Sequence, residues 1–226
     1  MRNKKIKDKR KYMITFDLDE TLIHAKRCHW KAFNEAFKKF GLPQIKYKEL
    51  IPFLNGRHAR QVVRDLFPNL SEREVDKITE EHHKLIGTKY GKYARKIKGV
   101  VPILKKLKKI YKIGIISNCT HKEINSLMKG AGLKKDLFDI IIGKDDVRRS
   151  KPAPDELFKA EKLMRSDIKF HVGDSPFDVI AARRSNTKAI AVLTGVNSRR
   201  ILKKEKPFAI IKDINELPKV LEKLKE

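Results

Sequence analysis

An α/β fold, a three-layer doubly wound (Rossmann-like) parallel sheet carrying an inserted α-helical cap, is predicted by three features of the sequence. Short β-branched or apolar runs recur at 12–16, 113–117, 140–142, 170–173, 189–193 and 209–211, with helical-period segments between most of them. Strands alternating with helices build parallel sheets through right-handed crossovers. The runs are continuously apolar, as strands covered on both faces are. Only from about His24 to Lys96 does the alternation fail, with no convincing strand and a helical pattern throughout.

Each element has its own signal. The first strand, 12–16, ends abruptly on Asp17 and Asp19 in "MITFDLDETL". Trp30, Phe33, Phe37 and Phe40 then recur at helical spacing. Val62, Val63 and Leu66, followed by Val75, Ile78 and Leu85, predict two or three more helices, with breaks at Gly41-Leu42-Pro43, Asn55-Gly56 and 68–71. Ser71 and Glu74 form a capping-box pattern. This segment is too long for a single crossover. The expected organisation is therefore a basic arm over 1–11, a core of 12–23 with 96–226, and a helical cap over 24–95. The aromatic stripe reads as the core of the cap rather than a ligand box.

The 226 residues suffice to bury a full core. With 54 Lys and Arg against 28 Asp and Glu, the net charge is +26. That balance favours anionic partners and steers phosphate-bearing ligands inward. Solvated faces of lysine-rich helices account for most of it. Nucleic acid is a possible partner but not the favoured one, because no RNA-binding signature or aromatic–basic interleaving marks the predicted strands. Two cysteines, Cys28 and Cys119, rule out a disulfide scaffold and point to a reducing cytoplasm. Neither starts the Cys-x5-Arg loop of a thiol phosphatase. No stretch has the length and apolarity of a membrane span. Either a monomer or a homodimer is compatible with the chain.

Ligands of doubly wound sheets gather outside the carboxyl ends of the strands, so the residues after each strand matter most. Asp17 and Asp19 follow the first, Ser117-Asn118 end the second, and Gly173-Asp174-Ser175 with Asp178 follow the fourth. "SKPAPDELF" adds Lys151, with Asp155 placed to cap a helix starting near Glu156. Two like charges one residue apart repel unless a cation or a proton intervenes. Carboxylates, a hydroxyl and an ammonium on one edge suit phosphoryl transfer to an aspartate. A Mg2+ ion would screen Asp17 and Asp174. Asp19 would serve as acid and base, and Ser117 and Lys151 would hold phosphoryl oxygens.

"DLDET", "SN", "KP" and "GDSPFD", in this order and register, closely resemble the motifs of the haloacid dehalogenase superfamily, in particular its phosphatase branch with a helical cap after the first strand. The resemblance spans nearly the whole chain and is strongest toward phosphoglycolate phosphatases. It implies Asp17 as nucleophile and Mg2+ ligand, Asp19 as acid/base with its backbone carbonyl on the metal, and Asp174 as a further ligand. Asp178 is implied either at the metal site or as the partner that positions Lys151. Thr21, Ser117, Asn118 and Lys151 would serve the first loop and the substrate. Dehalogenases of the superfamily lack the second Asp, so Asp19 argues for phosphate ester hydrolysis. The implied activity is hydrolysis of a small phosphorylated metabolite, first of all phosphoglycolate. A sugar-phosphate mutase, or a nucleotide or polynucleotide-terminal phosphatase, would use the same core residues.

Two departures stand out. Glu20 occupies a position where this branch usually has Gly, and it is expected to narrow the entrance or alter leaving-group preference. Ser185-Asn186 replace the small residues usual after the last motif. His29 reads as a hinge histidine without catalytic role, although some relatives use a histidine there to couple lid closure to acid/base work. Arg57 and Arg60 beside Asn55-Gly56 are placed to meet a second anionic group on the substrate. Cys119 reads as a small buried hydrophobe. His58, His82 and His83 do not make a zinc pattern, and "GTKYGK" is not a phosphate-binding loop.

Overall fold

A computed structural model describes residues 10–223. Most of the expected basic arm, 1–9, lies outside the described residues. Arg10 at its end is docked, donating to both carboxylate oxygens of Asp139 at 3.0 Å.

The six apolar runs form six parallel strands: β1 (Tyr12–Phe16), β4 (Lys112–Ser117), β5 (Ile140–Gly143), β6 (Asp167–Gly173), β7 (Lys188–Val192) and β8 (Ala209–Ile211). Their order is β5-β4-β1-β6-β7-β8. The chain winds outward from β1 to β5, then returns to the other side of β1 through β6. This doubly wound order has its switch point beside β1, where a crevice opens at the carboxyl ends of β1 and β6.

Both faces of the sheet are covered, which explains the unbroken apolar runs. Ile14, Phe16, Ile113, Ile115, Phe170 and Val172 join one cluster, and Met13, Ile116, Ile142 and Ile168 join another with Leu157 and Ala181. The covering helices are α5 (Val100–Lys108), α6 (His121–Ala131), α7 (Asp155–Met164), α8 (Pro176–Arg184), α9 (Arg199–Lys204) and α10 (Leu217–Glu222). Asp155 does not cap α7 as expected. It is the first helical residue, Pro154 stands at the cap position, and the Asp155 carboxylate pairs with Arg149 instead.

Between β1 and α5 lie α1 (Lys26–Lys39), α2 (Tyr47–Leu50), α3 (Ala59–Leu66) and α4 (Glu72–Leu85). The Ser71–Glu74 capping box forms as expected. At the foot of these helices β2 (Ile23–His24) pairs antiparallel with β3 (Arg95–Lys96), where the sequence showed no strand. A two-residue strand has no period to detect. Of the aromatic stripe, Phe33 and Phe37 are fully buried and Trp30 and Phe40 partly so. Phe37 meets Phe67 edge-on at 4.9 Å, and Phe33 stacks on His82 of α4 at 3.9 Å.

Truncating Phe37 removes a fully buried ring at this junction. Phe37→Ala is expected to lower the unfolding free energy by about 3–5 kcal/mol, measured by urea titration. A loss below about 1 kcal/mol would mean the helices repack freely.

Candidate active site

Asp17 and Asp19 lie just beyond β1, Ser117 ends β4, and Asp174 follows β6, so the switch point gathers the predicted residues from separate strands. Lys151, between β5 and α7, joins them. One pocket is lined by Asp17, Asp19, Ser117, Asn118, Lys151, Asp174 and Asp178 together with Arg57 and His58 from the helical segment.

Lys151 is the centre of the arrangement. Only 2% exposed, its ammonium donates to Asp17 Oδ1 at 2.7 Å, Asp178 Oδ1 at 2.6 Å and the Ile116 carbonyl at 2.8 Å. All three N–H donors are engaged. Burial disfavours the charge, but Asp17 and Asp178 outweigh it and hold the Lys151 ammonium well above the ordinary lysine range.

Asp178 is thereby placed. Its Oδ1 is shared by Lys151 and His171 at 3.2 Å, and its Oδ2 accepts from the Ser175 N–H at 3.0 Å and Ser175 Oγ at 2.5 Å. Burial would raise its carboxyl, but the Lys151 charge first, and then His171, outweigh burial and pull it below the usual range. Both oxygens of Asp178 are thus engaged by protein donors, with Lys151 the charged one. Gly173 permits this approach: a Cβ there would sit 2.2 Å from Asp178 Cγ.

Asp17 and Asp174 show the opposite behaviour. Burial pushes Asp17 up to about 8, with Lys151 opposing and the charges of Asp178 and Asp19 reinforcing. Burial also raises Asp174 well above the carboxylate range, followed by the charges of Asp17, Asp178 and Glu20. Asp19 presents one buried oxygen, Oδ1, with no partner among the described residues. A hard divalent cation such as Mg2+ fits this oxygen-donor set, because it would offset the crowded carboxylates. Among the described residues Asp19, His29 and Cys119, and separately His82, His83 and Glu123, also bring possible ligand atoms within 4.8 Å of one another. Hydrogen bonds already tie members of both groups together.

Ser117 Oγ accepts from the Cys119 N–H at 3.2 Å, which leaves its own proton for the pocket. Four other expected substrate residues behave differently. Thr21 is buried and is not among the residues lining the pocket. The loop closes through the Leu22 and Ile23 N–H groups onto the Leu18 carbonyl. Asn118 lines the pocket, yet its amide donates to the carbonyl of Lys151 at 3.1 Å and that of Gly56 at 3.4 Å, a bridge between loops. Arg57 is at the mouth, paired with Asp65 at 3.2 Å. Arg60 does not line the pocket; it faces out and pairs with Asp76 and Glu72.

Other features were not legible in the sequence. His29, read there as a hinge residue, reaches Asp19 Oδ2 from Nε2 at 2.8 Å, while its Nδ1 lies 3.1 Å from His82 Nε2. Burial opposes the imidazolium, but the bond and charge of Asp19 prevail and raise its pKa. His83 joins Glu123 of α6 at 2.8 Å and Lys144 at 2.6 Å. Cys119 is buried beside Asp19, and burial pushes its thiol well up. Only tertiary contacts bring these groups together, and no spacing records them.

A family description, haloacid dehalogenase-like hydrolase, matches residues 14–192. A Bacillus cereus protein named pyrophosphatase PpaX is 26% identical over 213 residues, covering 92% of this chain and 95% of that protein. Among solved structures, a Haemophilus somnus protein described as a predicted phosphoglycolate phosphatase superposes with a TM-score of 0.78 at 22% identity, over 92% of this chain and 97% of that one. A haloacid dehalogenase-like hydrolase from Streptococcus pneumoniae gives 0.80 at 20%, over 93% and 98%. The structural matches show the shared fold.

An acid whose folded pKa is raised contributes stability below its unfolded pKa and loses it as pH rises through the folded value. For Asp17 that interval runs from 3.8 to about 8. With chelator present, the urea midpoint is therefore expected to be lower at about pH 9 than at about pH 6, and Asp17→Asn should flatten the decline. A midpoint that rises over this interval would contradict the assignment.

Proposed function

The chain belongs to the haloacid dehalogenase-like hydrolase family, and on that premise we propose a Mg2+-dependent phosphatase that hydrolyses a small phosphorylated metabolite through an aspartyl-phosphate on Asp17. The observation that carries this reading is the buried Lys151 ammonium clamped between Asp17 and Asp178. It keeps the nucleophile oriented, and the charge it supplies favours the carboxylate form that attacks.

In the first step an oxygen of Asp17 forms a bond to phosphorus as the bond from phosphorus to the leaving oxygen breaks. Lys151 holds Oδ1, which leaves Oδ2 to attack. Asp19 gives a proton to the departing oxygen. In the second step Asp19 takes a proton from water, the water oxygen bonds to phosphorus as the bond from phosphorus to the Asp17 oxygen breaks, and the Asp17 carboxylate and inorganic phosphate are regenerated. Ser117 donates to a phosphoryl oxygen, where charge is spread in the transition state. Asp17, Asp174 and the Asp19 backbone carbonyl would hold the cation. Bound there, it would neutralise phosphoryl charge and lower the repulsion against Asp17.

The helices between β2 and β3 act as the cap in this reading. They close the pocket with Arg57, His58 and His83, a wall suited to a leaving group that is itself anionic. Phosphoglycolate meets that demand and is the first choice. The pyrophosphatase name carried by the Bacillus cereus relative makes pyrophosphate the second. The buried free thiols of Cys28 and Cys119 suit a reducing cytoplasm. Among the described residues no helix is long and apolar enough to cross a membrane.

With Mg2+, the protein is expected to release phosphate from phosphoglycolate or pyrophosphate, chelator should stop it, and Asp17→Asn should abolish it. Asp19→Asn should lower kcat on phosphoglycolate by about 10²- to 10⁴-fold. Full activity of Asp17→Asn, or none in the wild type across small phosphate compounds, would refute the proposal.

A further inference from the structure

Glu20 stands between Asp19 and Thr21 with φ +57°, in the left-handed region that L residues other than Asn and Asp seldom enter. Such a conformation persists where its surroundings over-determine it. The Glu20 N–H donates to the Ile23 carbonyl at 2.6 Å, and its own carbonyl accepts from Thr194 Oγ1. Its carboxylate, on a residue only 5% exposed, turns toward the helical segment. Oε1 accepts from the backbone N–H groups of Ala25 at 2.8 Å and Lys26 at 3.0 Å, and Oε2 lies 3.2 Å from both His24 Nδ1 and Lys26 Nζ.

Those two N–H groups belong to the start of α1, where donors lack partners within the helix. Ala25 occupies the cap position and has no side-chain acceptor to offer. The catalytic loop itself supplies the cap. One turn into the same helix, His29 Nε2 meets Asp19 Oδ2 at 2.8 Å. α1 is thus fixed to the loop at two points, and the place where Glu20 holds its first turn determines where His29 meets Asp19.

We propose that Glu20 is a positioning residue: by capping α1 it sets the first helix of the cap against the catalytic loop and, through His29, orients the Asp19 carboxyl for leaving-group protonation. The effect on turnover rests on the phosphatase reading and on Asp19 as its acid. The placement of His29 does not.

Glu20→Gly separates function from folding, because glycine enters the left-handed region without strain. The variant is expected to keep its cooperative urea transition. On phosphoglycolate, whose alkoxide leaving group needs a proton, kcat should fall at least about tenfold. On p-nitrophenyl phosphate, whose leaving group departs as a stable anion, the fall should stay below about threefold. His29→Ala should show the same split, and the double variant should be no worse than the worse single one, since residues acting through one chain of contacts are not additive. Glu20→Gln keeps an acceptor for the two N–H groups and should recover most of the loss. In imidazole NMR spectra, Glu20→Gly should shift or broaden the His29 signals.

Equal losses on both esters, losses that multiply in the double variant, or His29 signals unmoved in Glu20→Gly would each overturn the proposal. A wild type that turns over neither ester would defeat the phosphatase reading instead. The NMR comparison would then still decide whether Glu20 places His29.

Discussion

A buried ammonium between two carboxylates organises this molecule. Lys151 is almost wholly buried, so its charge is sustained by Asp17, Asp178 and the Ile116 carbonyl. Those three partners come from the loop after β1, the first turn of α8 and strand β4. The ion pairs therefore draw distant stretches of chain to one point on the sheet edge. Asp178 is held in turn by His171 and Ser175. Such a cluster is stable only when complete, because removing one partner leaves an uncompensated buried charge.

Completeness on the Lys151 side contrasts with crowding on the other. Asp17 faces an ammonium through Oδ1, yet its carboxyl and that of Asp174 are both pushed upward, by burial first and then by neighbouring carboxylates, Asp178 and Asp19 for Asp17 and Asp17 and Asp178 for Asp174. The site is poised to take positive charge, and the phosphatase reading gives that charge a purpose. Above it, α1 and α4 present His29, His82 and His83 toward the sheet edge. The insertion is joined to the loop after β1 through side chains, and its two ends meet in the short β2–β3 pairing.

Much of this was legible in the sequence because it depends on local pattern. All six sheet strands show as apolar runs, since burial on both faces removes polar residues from them. Asp17, Asp19, Ser117 and Asp174 were legible because each stands at or just beyond a strand end and the topology brings strand ends together, and Lys151 because it precedes Pro152 in the segment "SKPAPDELF". What escaped depends on contacts across the chain. The His29 to Asp19 bond needs the start of α1 held in place, and the acceptor that caps it comes from Glu20, outside the usual cap position. Thr21 was expected near substrate, and only the closure of its loop shows it buried away from the pocket. Asp155 matched a cap by residue type, but Pro154 takes that position and Arg149 takes the carboxylate.

The most direct test is to identify the covalent intermediate. Acid quenching during turnover of phosphoglycolate or pyrophosphate with Mg2+, followed by peptide mass spectrometry, should find a single phosphoryl group on Asp17 that hydroxylamine removes and that is missing from Asp17→Asn. A phosphoryl group on another residue, or steady turnover with Asp17 never modified, would contradict the account.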